Sequence, residues 1–261
     1  MKSINKKLYV SGFMDMVDET SPGPGELALF WLGSAGYLIK THSGTTVAID
    51  PYLSDCCETA YGFKRLIRAV MAPDEFRADY LLMSHEHGDH CDVDLLRAIE
   101  ASDLTMAVAG PVSCRAEIEK NAIDIPFTTL ATGDKLEAAD FTLHTVDADH
   151  GKSTPFAVGF VLDFGFIKIY YSGDTALTQE ITEQVRPMSP DIALMPVNGA
   201  FGNLNGVEAL QMANDVGAKL LIPCHFWTLA EHGANLLELV NADAGNIKIL
   251  FLSQGEGVLL P

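Results

Sequence analysis

The chain has 261 residues, 48% of them hydrophobic, enough to bury a large core. It carries 35 acidic against 17 basic residues, a formal charge of −18, which argues against a surface built to replace the counterions of nucleic acid. No apolar run approaches the roughly 20 residues of a membrane-spanning helix.

In chain order, the basic opening Met1–Lys7 is succeeded by Asp15, Asp18 and Glu19 rather than an apolar stretch, so no secretory signal is predicted. Ser21-Pro22-Gly23-Pro24-Gly25 reads as a turn-rich entry. Strand-like runs come next at 27–32, 37–40 and 45–50. The segment Asp55–Pro73 reads as an amphipathic surface helix, or as a lid whose Lys64, Arg65 or Arg68 meets a substrate. Further strands are expected at 80–83, 105–109, 141–146, 156–164, 166–171, 192–196, 219–222 and 247–252. Helices are expected after Asp92 or Asp94, with Leu95, Leu96 and Ile99 inward, at 112–121 after Pro111, and at 207–216 with Gly217 at its end. No repeat or linker divides the chain, so 1–261 reads as one domain. Hairpins and then strand–helix alternation suit two packed sheets with helices outside.

The densest chemistry lies after the strand at 80–83, where His85-Glu86-His87-Gly88-Asp89-His90 has the form H-x-H-x-D-H. His85 and His87, two apart, fall on one side of an extended chain. Asp89 and His90 can face the same space from the start of the next element. Imidazole and carboxylate are ligands of Zn, Mn and Fe, and crowding them without a partner is costly. The spacing suits two ions, one taken by His85 and His87, the other by Asp89 and His90. His150, Asp174 and His225 each sit where an apolar run gives way to a loop, as does Asp50, a candidate to orient a ligand histidine through its second nitrogen. His42 reads as a surface turn residue and His144 as a strand residue with a structural partner. His232 reads as either pocket-lining or exposed. The cysteines Cys56, Cys57, Cys91, Cys114 and Cys224 contain no C-x-x-C pair, and their odd number suggests reduced thiols of a cytoplasmic protein. Cys91 and Cys224 read as small packing residues.

On these residues the chain resembles the metallo-β-lactamase superfamily. Leu29–Ile39, Ile49–Asp55, Ala109-Gly110-Pro111, Ser172–Thr175 and Ile222–His225 further resemble the L-ascorbate 6-phosphate lactonase-like branch, of which the chain looks like a general member. The resemblance implies an α/β fold, the four-layer αββα sandwich. It also implies a first metal on His85, His87 and His150, a second on Asp89, His90 and His225, and Asp174 bridging both.

The expected function is metal-dependent hydrolysis by a metal-bridged hydroxide, with Asp89 and Asp174 holding the metals and orienting the nucleophile. The expected cofactors are two divalent ions, Zn or Mn, with Fe also suited. The expected substrate is a lactone or cyclic ester of a small anionic, sugar-acid-like molecule; net positive charge at the metals can attract it despite the acidic protein. The alternatives are a phosphodiesterase or nuclease of the same fold, and a metal-binding sensor or interaction protein without turnover. A redox di-iron role fits less well, because His87 stands where that chemistry places a carboxylate. No nucleic acid or membrane partner is expected, and a homo-oligomer is compatible with the sequence.

Overall fold

The structure is a computed structural model that describes residues 2–5 (backbone only), 12–102 and 104–261. Met1, Lys6 and Lys7 of the basic opening lie outside the described residues. Two mixed sheets form the centre. The first uses β1 (Lys2–Asn5), β2 (Leu27–Gly33), β3 (Gly36–Lys40), β4 (Thr46–Ile49), β5 (Tyr80–Leu82), β6 (Ala107–Gly110) and β7 (Phe127–Thr129). The second uses β8 (Lys135–Glu137), β9 (Thr142–Asp147), β10 (Val158–Asp163), β11 (Lys168–Tyr171), β12 (Ile192–Pro196), β13 (Leu220–Cys224) and β14 (Lys248–Ile249). The final strand, β15 (Gly257–Leu260), returns to the first sheet between β1 and β2.

Both sheets share one plan. Each is antiparallel at one side (β1-β15-β2-β3-β4; β8-β9-β10-β11) and parallel at the other (β4-β5-β6-β7; β11-β12-β13-β14). Parallel strands run in one direction, so their C-terminal ends and the loops after them gather along one edge. That is where open α/β sheets place ligands.

The apolar runs fill two layers. Trp31, Tyr37, Ile39, Ile49 and Leu82 of the first sheet pack against Leu143, Phe160, Ile169, Tyr171, Leu194 and Ile222 of the second. The outer face of the first sheet, including Phe30, Leu32, Leu38, Leu81 and Met83, is covered by helices α1 (Phe13–Glu19), α3 (Val93–Glu100) and α4 (Val112–Lys120). Strand β2 is buried on both faces, which explains its unbroken apolar sequence. On the other side, α5 (Gln179–Val185) turns Ile181 and Val185 inward, and α6 (Gly206–Val216) turns Ala209, Leu210, Met212, Ala213 and Val216 inward.

Asp92, not Asp94, caps α3, and Leu95, Leu96 and Ile99 are its buried face. The helix expected over 55–73 is confined to α2 (Cys56–Tyr61). It stops because Gly62 takes a left-handed conformation at φ 77°. The chain then extends and pairs through Arg65 with Leu229. No helix among the described residues is long and apolar enough to cross a membrane.

Candidate metal centre

The motif leaves β5 at Leu82 and folds back on itself: the His90 and Cys91 amides donate to the His87 carbonyl at 2.9 and 2.7 Å. Asp92, buried, then accepts from the amides of Leu53, Ser54, Asp94 and Leu95, and from Ser54 Oγ. One carboxylate thus caps α3 and ties the loop after β4 to the motif. His150 comes after β9, Asp174 after β11 and His225 after β13. All seven expected donors therefore come from loops at strand ends, four from the first sheet and three from the second.

Their side chains converge. His87 Nδ1 lies 3.0 Å from His85 Nε2 and 3.2 Å from His150 Nε2. His225 Nε2 lies 3.0 Å from Asp89 Oδ2 and 3.3 Å from His90 Nε2. Asp174 Oδ2 sits between the two groups, 3.5 Å from His90 Nε2, 3.7 Å from His150 Nε2 and 3.5 Å from His225 Nε2. The sets His85–His87–His150 and Asp89–His90–His225 each present donor atoms within 4.8 Å of one another.

This donor set fits divalent cations. One proton on His87 Nδ1 can serve one neighbouring nitrogen, whereas a cation satisfies several lone pairs at once. Burial, then the charge of His90, holds His85 and His87 below the usual imidazole range. Burial likewise lowers His150. Both effects favour the neutral ring, the ligating form. Burial opposes charge on Asp174 and Asp89 as well. The surrounding histidines outweigh it, His225 first for Asp174 and His90 first for Asp89, and hold both well below the usual carboxylate range. The carboxylates Asp174, Asp89 and Asp50 in turn outweigh the burial of His90 and raise it. Asp174 Oδ1 is buried without a hydrogen-bond partner among the described residues.

Asp50 belongs to a third geometric cluster with His85 and His90, but its oxygens are already occupied. Oδ2 accepts from His90 Nδ1 at 2.7 Å, from Tyr171 Oη at 2.6 Å and from Ser84 Oγ; Oδ1 accepts from the Ser84 amide at 2.7 Å. It faces His90 from behind and leaves His90 Nε2 directed at the cluster. His232 is buried, stacked on His225 at 4.1 Å between ring centroids, with Nδ1 3.8 Å from Asp89 Oδ2. Burial, then His225, pulls it down to about 4.

Three further side chains hold the cluster. Ser34 Oγ donates to Asp89 Oδ2 at 3.0 Å, and the Ser34 carbonyl accepts the His225 amide at 2.7 Å. Asn203 Nδ2 donates to Asp174 Oδ2 at 2.8 Å. Tyr171 anchors Asp50. Their signals in the sequence are faint: a hydroxyl in the Gly33-Ser34-Ala35-Gly36 turn, and a glycine-rich loop directly after β12. Gly173 is needed beside Asp174, because a Cβ there would meet the Val158 carbonyl at 2.8 Å. Ser34, Asp50, Phe201 and His225 all hold positive φ, between 45° and 60°. Such backbone costs of order 1–3 kcal/mol each and clusters at functional sites.

The bases of 55–73 are placed elsewhere. Among the described residues the cavity of about 370 Å³ over the cluster is lined by Cys57, Tyr61, Phe63, His87, Asp89, His150, Ser153, Asp174, Phe201, His225 and His232. Lys64, 76% exposed, lies 4.0 Å from Glu58. The Arg65 side chain, 7% exposed, lies over the Tyr52 ring at 3.7 Å, donates to the Tyr52 and Ser54 carbonyls and pairs with Asp55 at 3.1 Å. Carbonyl oxygens that would otherwise lack donors claim its guanidinium. Arg68 is exposed outside the lining. His42 is exposed and bonds the Pro22 carbonyl; His144 lies half-buried on β9 with no side-chain hydrogen bond among the described residues. The five cysteines are buried and free.

Residues 28–225 match the family described as a beta-lactamase superfamily domain. This chain belongs to the metallo-β-lactamase superfamily. A UPF0173 metal-dependent hydrolase of Thermoplasma acidophilum is 28% identical over 246 residues, covering 90% of this chain and 95% of the relative. The superfamily fold is also seen in Igni18, a metallo hydrolase of Ignicoccus hospitalis (TM-score 0.69, 18% identity, 90% of this chain and 99% of that one). An isothiocyanate hydrolase from Delia radicum gut bacteria shares it too (TM-score 0.68, 18% identity, 88% and 98%). Of these three only the isothiocyanate hydrolase is named for a substrate, and a likeness of 18% identity shows the fold alone.

Proposed function

We propose that the protein is a metal-dependent hydrolase acting on an acyl bond, with a lactone or cyclic ester of a small molecule as the favoured substrate. The observation that carries this reading is the convergence of seven donors from both sheets on one cavity. The name of the Thermoplasma relative, a metal-dependent hydrolase, supports it. So do the runs resembling the lactonase-like branch. His85, His87 and His150 would hold one divalent ion and Asp89, His90 and His225 a second, with Asp174 serving both. Bound there, such ions would supply a water activated near neutral pH and would neutralise charge developing on the carbonyl oxygen.

The chain's own residues prepare that chemistry. Asp50 fixes the His90 ring by taking its Nδ1 proton in a hydrogen bond, leaving Nε2 as the donor. Ser34 and Asn203 each hold one carboxylate in place. His232 packs on His225 and narrows the cavity floor, and the aromatic wall limits bulk water.

The test is metal analysis of the purified protein, then hydrolysis of lactones, phosphodiesters and thioesters with the metal found. Lactone turnover abolished by chelation and restored by that metal is expected. Faster phosphodiester cleavage would move the protein to phosphodiesterase chemistry. Stoichiometric metal without turnover on any class would leave a binding protein.

A further inference from the structure

The cavity has two unlike ends. The cluster forms the floor. The rim is built by Tyr61 and Phe63, from the end of α2 and the segment after it, and by Phe201, from the loop after β12. The Phe63 and Phe201 rings are 6.0 Å apart at 34°. Both lean on His232, with centroids 6.5 and 6.0 Å away. Tyr61 stands 6.0 Å from Phe63. Tyr61 is 60% and Phe201 56% exposed, and Phe201 is held at φ 57°. A large aromatic kept in a rarely occupied backbone conformation with its ring toward water has a local cost that packing does not repay. Three aromatic rings above the cluster, two of them more than half exposed and one at positive φ, have the form of a recognition wall.

Charge points the same way. Among the described residues the lining contains no Lys or Arg. Lys64 is exposed outside it, and Arg65 is held by the Tyr52 and Ser54 carbonyls and the Asp55 carboxylate. Away from the floor, the described wall offers the Ser153 and Tyr61 hydroxyls but no cation to repay the desolvation of a phosphate or second carboxylate.

We infer that this site, on the hydrolase reading, takes an uncharged acyl compound whose non-reacting part is a flat apolar group, aryl or short alkyl, seated against Phe63 and Phe201 with its carbonyl toward the metal ligands. A sugar-acid phosphate is not the substrate class. The volume of about 370 Å³ is at the small end of ligand cavities, which run about 300–1,000 Å³, so the apolar group is the size of one ring.

Two measurements test this. The first is independent of turnover: binding of phenylacetamide and of glycerol 3-phosphate to metal-stripped protein, by calorimetry or saturation-transfer NMR. Phenylacetamide is expected to bind, glycerol 3-phosphate to bind more weakly, and Phe201→Ala to weaken phenylacetamide about fivefold to tenfold, the scale of one lost aromatic contact. Phe63→Leu, which keeps the half-buried position filled, should weaken it by a smaller factor, and Lys64→Ala should not change it. Tighter binding of glycerol 3-phosphate, or wild-type phenylacetamide affinity in both Phe variants, overturns the inference. The second is kcat/KM of the metal-loaded enzyme on dihydrocoumarin, δ-valerolactone and a phosphorylated sugar lactone. Dihydrocoumarin should be preferred, and Phe201→Ala should flatten the preference while metal content is unchanged. Preference for the phosphorylated lactone refutes the inference and leaves the hydrolase reading standing. Absence of turnover on all three, with Phe201-dependent phenylacetamide binding intact, refutes lactone hydrolysis and leaves the apolar recognition standing.

Discussion

Asp50→Asn is the most informative single change, because it keeps size and tolerance of the left-handed backbone while altering four hydrogen bonds. In the wild type one side of the carboxylate accepts His90 Nδ1, Tyr171 Oη and Ser84 Oγ, and the other accepts the Ser84 amide. The amide can place its oxygen toward only one of these sides. The better orientation keeps three bonds and sets an NH2 group against the Ser84 N–H. That lost bond, with a buried donor left unpaired, costs about 1–3 kcal/mol, and each bond that loses a charged acceptor weakens by about 1 kcal/mol. Allowing for relaxation, we expect about 3–5 kcal/mol of destabilisation, a large share of the roughly 5–15 kcal/mol a domain has. With its carboxylate partner replaced by a weaker neutral acceptor, the His90 site should also lose metal affinity by about 10–100-fold. Urea unfolding of the metal-stripped protein, read with its m-value, gives the first quantity; competition against a chelator gives the second. A loss under about 1 kcal/mol with wild-type metal affinity would refute the orienting role of Asp50.

Asp174→Ala should lower metal stoichiometry and cut turnover by roughly a hundredfold or more, with the circular dichroism spectrum retained; two metals and near-normal turnover would remove Asp174 from between the ions. Chelation should lower the melting temperature, since bound metal stabilises the folded state by mass action, and re-addition should restore it; an unchanged midpoint would separate metal from stability. Arg65→Lys should destabilise by about 2–4 kcal/mol through lost bidentate and stacking contacts, whereas Lys64→Ala and Arg68→Ala should stay within about 0.5 kcal/mol by denaturant titration. Duplex DNA should show no micromolar binding at physiological salt in a fluorescence titration; salt-dependent binding there would revive a nuclease reading.

Buried strands are legible in this sequence because continuous apolar runs bounded by turns leave little ambiguity, as at Ile192–Pro196. Short, half-exposed strands are not: Phe127–Thr129 and Lys135–Glu137 carry neither an apolar run nor clean alternation. The run 247–252 pairs only through Lys248–Ile249 at the edge of its sheet. Metal-capable residues stand out because their spacing is local and strand ends announce them. Their supports do not, since Ser34 meets Asp89 across 55 residues and Tyr171 meets Asp50 across 121. The bases of 55–73 mislead for the converse reason. Sequence displays a charge but not the carbonyls that claim it, and Arg65 answers to Tyr52 and Ser54.

Because the donors are divided between two sheets, the order of synthesis matters. Asp89 and His225 touch across 136 residues. At about 5–20 residues per second, the motif waits roughly 7–27 s for its last partner to be made. Through that interval the nascent chain displays histidines and carboxylates able to hold a cation weakly and in the wrong company. The set Asp89–His90–His225 therefore cannot form until β13 has been made, and a chain cut short just before His225 would carry six of the seven donors, with His85, His87 and His150 all present and Asp89 and His90 short of their partner.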